Sequence, residues 1–270
     1  MYRLETLLPE IDAAMSEGRA IARIPDLTLE DAHRLFAALH ARRLTRGEKT
    51  VGRKIGFTNR TIWAEYGVHA PNWGYMTDRS VFELAAVGTV PLRHFAEPRI
   101  EPEIVFGISE TPSPDMDDAA LMRCIGWVAH GFEIVHSIFP NWKFTPAETV
   151  AANALHGALL IGPRQGIVDR RERWLKDLAT FGIALYRNGN LADRGRAESV
   201  LGGPVSALRH LVQLIAADDV NPPLAAGEIV TTGTLTRSLP SASAARHATS
   251  AESMPPERPS TTRSKPFFST

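Results

Sequence analysis

The segment Arg99-Ile100-Glu101-Pro102-Glu103-Ile104-Val105-Phe106-Gly107-Ile108 constrains this chain more than any other. Its apolar second half reads as a buried strand, yet two glutamates stand two residues apart at its start. Alternate side chains of a strand share a face, so Glu101 and Glu103 point the same way, one pleat apart. Two like charges beside a core are costly unless a cation sits between them; otherwise this strand end faces water. A third carboxylate, Glu133, interrupts the apolar run from Trp127 to Ile138, which reads as an interior strand. An unpaired buried carboxylate does not stay ionised, so Glu133 needs a partner. Three carboxylates on two neighbouring strands form an all-oxygen set for a hard divalent ion, Mg2+ or equally Mn2+. His130 and His136 flank Glu133 at intervals of three. On a helix that spacing approximates a zinc-binding face, but the glycine and β-branched content favours a strand, where both histidines point away from Glu133.

The rest of the chain reads as helices first and mostly strands behind, an α+β fold with N-terminal helices followed by a mostly β core. Leu4, Leu7, Leu8, Ile11 and Met15 predict a helix over 4–17, and Thr28 to Asp31 starts a second that runs to about Leu44. Strands are expected at Lys49–Thr58, Arg99–Ile108, Ile125–Phe139, Leu155–Ile161, Phe181–Tyr186 and Ile229–Thr232, and a short helix over 60–67. Asn188-Gly189 predicts a hairpin turn, and Pro204 suits the first position of a helix reaching about Ala217. This divides the chain into a helical and αβ region at 1–70 packed on the core, a β-rich catalytic core at 71–240, and a tail at 241–270. Half of the tail is Ser, Thr or Pro, so it is expected to stay disordered. Lys+Arg and Asp+Glu both number 30, a balance that argues against partnership with nucleic acid or anionic lipid. No apolar run approaches the roughly 18 residues of a membrane span. The single cysteine, Cys124, cannot form an internal disulfide, so a reducing cytoplasm is the expected compartment.

Several motifs, in order, resemble the fumarylacetoacetate hydrolase superfamily. They are Gly52-Arg53-Lys54-Ile55-Gly56, Glu101-Pro102-Glu103-Ile104, Phe132-Glu133-Ile134-Val135, Asn141-Trp142-Lys143, Val200-Leu201-Gly202-Gly203-Pro204 and Gly227 to Thr234. Within that superfamily the chain is similar to the 2-keto-4-pentenoate hydratase and 4-oxalocrotonate decarboxylase branch. The resemblance implies a fumarylacetoacetase C-terminal-like core and a Mg2+ or Mn2+ site at Glu101, Glu103 and Glu133. It implies catalytic roles for Lys54 and Asp78, and substrate contacts for Thr234 and Lys143. His156 is a candidate replacement acid-base group, because Ala152 and Leu155-His156 depart from the acid and small hydroxyl residues usual there. After Pro240 the sequence also departs from the strands with which the family continues. The implied activity is a metal-dependent lyase that hydrates 2-hydroxypenta-2,4-dienoate-type acids in aromatic compound catabolism. Alternatives are 4-oxalocrotonate-type decarboxylation, acylpyruvate-type C–C hydrolysis, or a non-catalytic subunit. The implied partners are a small 2-oxo acid and either further copies of the chain or a paralogous hydratase or decarboxylase.

Overall fold

The computed structural model describes residues 4–241 and 249–254. Helix α1 (Leu4–Glu17) buries Leu7, Ile11, Ala14 and Met15, the helical spacing expected of them. In α2 (Leu29–Thr45) the Thr28 hydroxyl caps the start by accepting from the Asp31 amide. There follow β1 (Thr50–Gly56), the single helical turn α3 (Trp63–Tyr66), β2 (Asn72–Thr77) and β3 (Val81–Glu83). The long strands β4 (Arg99–Ile108) and β5 (Ile125–Val135) enclose the short helix α4 (Asp118–Arg123). Then come α5 (Pro146–Ala151), β6 (His156–Ile161), β7 (Gln165–Gly166) and α6 (Arg171–Thr180). β8 (Gly182–Arg187) and β9 (Asn190–Arg196) form the hairpin predicted from Asn188-Gly189, both of which take positive φ. The chain continues through α7 (Pro204–Ala216), β10 (Ile229–Thr231), β11 (Leu239–Pro240) and β12 (Thr249–Met254).

The main sheet runs β2-β1-β10-β4-β5-β6-β3, with β11 added to β4 and β7 to β5. β1–β10 and β3–β6 are parallel and the other pairs antiparallel, so this is a mixed sheet, and the fold is α+β as expected. β1 lies between β2 and β10, so the segment 1–70 contributes an interior strand of the same sheet as the core. The apolar core joins α1, α2, α5 and α7 to that sheet, with Phe36 edge-on to Trp73 at 4.8 Å. Arg53 is buried within it, paired with Glu228 and stacked 4.2 Å over the Tyr75 ring.

The structure differs from the sequence reading in three places. β2, β3, α4, α5 and α6 were not anticipated, because each is short or lacks a clean apolar period. The strand expected to reach Phe139 ends at Val135, where Ser137 turns the chain by donating its hydroxyl to the Phe139 carbonyl. The expectation of a wholly disordered tail is corrected at β12, which pairs antiparallel with β8. Ladder bonds are made by backbone, so an open edge such as that of β8 recruits a strand irrespective of its apolar content. The remainder of the tail beyond Ser241 lies outside the described residues.

Candidate metal centre

The register of β4 against β5 builds the carboxylate cluster. Glu101 stands opposite Glu133, and Glu103 opposite Gly131, so all three acids share one face of the two strands. One carboxylate oxygen from each lies within 4.8 Å of the others. Glu103 and Glu133 are buried, and Glu101 is half-buried at the strand start. Glu103 Oε2 accepts from the Gly233 amide at 2.8 Å, whereas Glu103 Oε1 is buried without a hydrogen-bond partner. Gly233 takes φ +89°, and a Cβ there would lie 1.8 Å from Thr58 Oγ1, so only glycine presents its amide in this place.

Two cationic or donor groups reach Glu133. Lys54 Nζ lies 3.2 Å from Glu133 Oε2 and donates to the Ala154 carbonyl at 3.0 Å. His156 Nδ1 meets Glu133 Oε1 at 2.7 Å, and its Nε2 lies 2.9 Å from Ser80 Oγ. Burial pulls His156 down from the ordinary histidine value, so the ring is neutral. A carboxylate only accepts, so Nδ1 carries the proton and Nε2 accepts from the Ser80 hydroxyl. Burial alone would raise Glu133, but Lys54 and the His156 bond outweigh it and lower the carboxyl to about 2. Burial, opposed by Lys54 and reinforced by Glu133, raises Glu101 to about 7, and burial with both neighbours raises Glu103 well above the carboxylate range. Burial works against the Lys54 ammonium, yet the three glutamates overcome it and raise its pKa. Three carboxylates thus face one ammonium. The all-oxygen donor set, the orphaned Glu103 oxygen and the excess of negative charge all fit a hard divalent cation.

A narrow cavity opens beside the cluster, lined by Lys54, Glu101, Phe57, Tyr66, Trp142 and Thr234 among others. Its wall includes Ala154 and Leu155, and the three consecutive residues Asn153, Ala154 and Leu155 have φ of 53°, 51° and 62°. Each non-glycine residue in this region costs on the order of 1 kcal/mol, and such strain concentrates at functional sites. Asn153 holds the loop in place, accepting from the Tyr75 amide at 2.8 Å and donating to the Tyr75 carbonyl at 2.9 Å. The result is the Ala154 carbonyl aimed at Lys54.

Of the residues singled out in the sequence, the structure brings together Lys54, Glu101, Glu103, Glu133, His156 and Thr234. Thr234 is buried in the cavity wall and donates its hydroxyl to the Thr236 carbonyl at 2.9 Å. Asp78 is not at this site. It is exposed on the turn after β2, where its carboxylate accepts from the Lys49 amide at 2.9 Å. Lys143 is also exposed; its neighbour Trp142 is the member of that motif which lines the cavity. Arg99 has no role in the sequence reading, although its place two residues before Glu101, on the same strand face, marks it. Its guanidinium lies 4.0 Å over the Trp142 ring and donates to Tyr66 Oη at 2.7 Å, and both partners line the cavity. Among the described residues the acidic cluster is the one group able to hold a metal ion, and neither His130 nor His136 belongs to it.

Comparison with known proteins agrees with this geometry. Residues 58–255 match the family model described as fumarylacetoacetate (FAA) hydrolase C-terminal. The chain is 30% identical over 248 residues to the 2-hydroxyhexa-2,4-dienoate hydratase of Comamonas testosteroni, covering 90% of this chain and 91% of the relative. It is also 30% identical over 218 residues to the 4-oxalocrotonate decarboxylase of Pseudomonas sp. strain CF600, covering 80% and 79% respectively. Among solved structures, the 4-oxalocrotonate decarboxylase from Pseudomonas putida G7, complexed with magnesium and adipate, superposes with a TM-score of 0.79 at 27% identity, covering 88% of this chain and 89% of that one. The chain belongs to the fumarylacetoacetate hydrolase superfamily, a metal-associated enzyme superfamily, in the branch of the 2-keto-4-pentenoate hydratases and 4-oxalocrotonate decarboxylases.

Proposed function

We propose that this protein is a divalent-metal-dependent decarboxylase of a small unsaturated 2-oxo dicarboxylic acid of the 4-oxalocrotonate type. Glu101, Glu103 and Glu133 are the residues that would hold Mg2+ or Mn2+. A cation there supplies an electrophile for the carboxylate and 2-oxo oxygens of such an acid. The observation that carries the reading is the inventory of the cavity. Hydration needs a group that delivers water to carbon, and the acid expected for it, Asp78, is on an exposed turn. Ala152 stands where the resemblance to hydratases implies another acid. Decarboxylation of a vinylogous β-oxo acid needs neither: the bond to the departing carboxylate breaks, and its electrons pass through the alkene to the 2-oxo oxygen.

The chain's own residues suit that electron flow. Lys54 is a buried ammonium at the cavity wall, placed to balance negative charge that develops on the substrate and to give up a proton. His156 fixes the Glu133 carboxylate, leaving Oε2 turned toward Lys54 and the cluster. Arg99, steadied by Tyr66 and Trp142, is a cation beside the mouth for the second carboxylate of the substrate. The close similarity to hydratases supports a second reading, hydration of 2-hydroxypenta-2,4-dienoate through the same cluster.

The test is an absorbance and CO2 assay of the purified protein with Mg2+. Release of CO2 from 4-oxalocrotonate is expected, with a loss of about 100-fold or more in Lys54→Met. Decay of dienoate absorbance without CO2 release would replace decarboxylation by hydration. Inactivity on both acids would overturn the lyase reading.

A further inference from the structure

A second cavity, of about 400 Å3, lies on the other side of His156, between α1, α2, the turn after β2 and the segment before β4. That volume is within the range of small-molecule sites. Three guanidinium groups, Arg43, Arg46 and Arg79, line it against one carboxylate, Glu48. Arg46 is already occupied by Asp12 through two hydrogen bonds of 2.8 Å, and Glu48 accepts the Thr77 hydroxyl. Arg43 and Arg79 have no ion-pair partner among the described residues. Arg43 is tucked against Met15, with Nη2 3.8 Å from the sulfur, a weak acceptor that leaves the guanidinium without a direct carboxylate bond. Burial pulls Arg43 down from the ordinary arginine value and outweighs the opposing attraction of Glu48 and Asp12. Phe82, Pro91 and Phe95 supply apolar wall, and Phe82 stays 39% exposed, an uncovered aromatic at the rim.

We propose that this second cavity is a carboxylate-binding site, separate from the metal centre, for a small organic acid with an apolar body. The carboxylate meets Arg43 and Arg79, and the body lies against Phe82, Pro91 and Phe95. A guanidinium without a carboxylate partner presents a planar fork of donors that matches a carboxylate in two parallel bonds. An inorganic anion satisfies the charge but leaves the aromatic wall wet, so the combination selects an organic acid. His156 forms the floor, and its ring also bonds Glu133, so an occupant sits one side chain away from the cluster.

The test is calorimetric titration of benzoate into the metal-free protein, which keeps it independent of the lyase reading. Wild-type protein and Glu101→Gln are expected to bind benzoate alike, and Arg79→Gln about tenfold more weakly, the usual loss for one charge-assisted bond. Arg79 is exposed on a turn, so its replacement leaves the fold intact; Arg43→Gln is a second variant with the same expectation. Sulfate is expected to bind more weakly than benzoate. Absence of benzoate binding in wild type, equal affinity for sulfate, or binding lost in Glu101→Gln but kept in Arg79→Gln and Arg43→Gln would each overturn the proposal. A failed metal centre would show instead as lost Mn2+ binding, which this titration does not read.

Discussion

Glu133 on β5 and Glu148 on α5 are both fully buried glutamates, and their surroundings are opposite. Glu148 is saturated. Its Oε1 accepts from the Ile24 amide at 2.6 Å and Arg23 Nε at 2.9 Å, and its Oε2 from the Thr145 amide at 2.7 Å and Arg23 Nε at 2.7 Å. It closes a capping box with Thr145 and ties the start of α5 to the loop before α2. Glu133 belongs to a cluster that stays unsaturated: three carboxylates, one ammonium and an orphaned oxygen on Glu103. Burial is therefore no guide to the role of a carboxylate here. The count of donors around it is, because a buried acid with all its bonds made is a structural part, and one left short has room for a cation.

The contrast is broken most severely at the saturated end. Glu148→Ala leaves the buried Ile24 amide and the partly buried Thr145 amide without acceptors and is expected to cost about 3 kcal/mol of folding stability, measured by chemical denaturation. The half-exposed Arg23 contributes little of that, since its own charge is screened by water. Stability within about 0.5 kcal/mol of wild type would mean the bonds around Glu148 are dispensable.

The next effect reads the support of the cluster. His156→Leu is expected to weaken Mn2+ binding by about 10–100-fold, with His156→Asn restoring most of it, because the Asn amide reaches Glu133 from the place of Nδ1. Equal affinity in all three proteins would reduce His156 to packing. Smaller still, Glu103→Gln in the metal-free protein is expected to stabilise the fold by about 1 kcal/mol, since it removes a buried acid whose ionisation is opposed by burial and by Glu101 and Glu133. A loss of stability there would contradict an unsaturated cluster.

The smallest effect concerns acid sensitivity away from both glutamates. Burial, with Arg53 and Arg43 nearby, lowers His40 from 6.5 to about 4. The folded state then binds the proton more weakly than the unfolded chain, so stability is complete above about pH 6.5 and is lost as the pH falls toward 4. Between pH 7 and pH 5 the wild type is expected to lose more stability than His40→Gln. An equal loss would show that His40 contributes nothing to the acid limb.

The parts legible in the sequence were those that rest on local period or on a single backbone requirement. β4 and β5 followed from apolar strand patterns, α1 and α2 from helical spacing, the β8–β9 hairpin from Asn188-Gly189, and the start of α7 from Pro204. The pairing of Glu101 with Glu103 was legible because strand parity places them on one face, whereas the arrival of Glu133 beside them depends on the register of β4 against β5. Long-range partnerships were not. Only the capping-box bond of Glu148 to Thr145 is local; its other donors, Arg23 and Ile24, are more than a hundred residues away. The exposed place of Asp78 depends on a bond to Lys49 across β1 and β2, and the left-handed run at 153–155 depends on Asn153 finding the Tyr75 backbone. No residue type in Asn153-Ala154-Leu155 announces positive φ three times over.

The most direct measurement is a titration of Mn2+ into metal-free protein, followed by calorimetry, for the wild type and Glu103→Gln side by side. One site per chain is expected in the wild type, weakened more than about 100-fold in the variant, beyond the loss typical of an indirect support. No binding in the wild type, or unchanged affinity in Glu103→Gln, would contradict a metal centre at Glu101, Glu103 and Glu133.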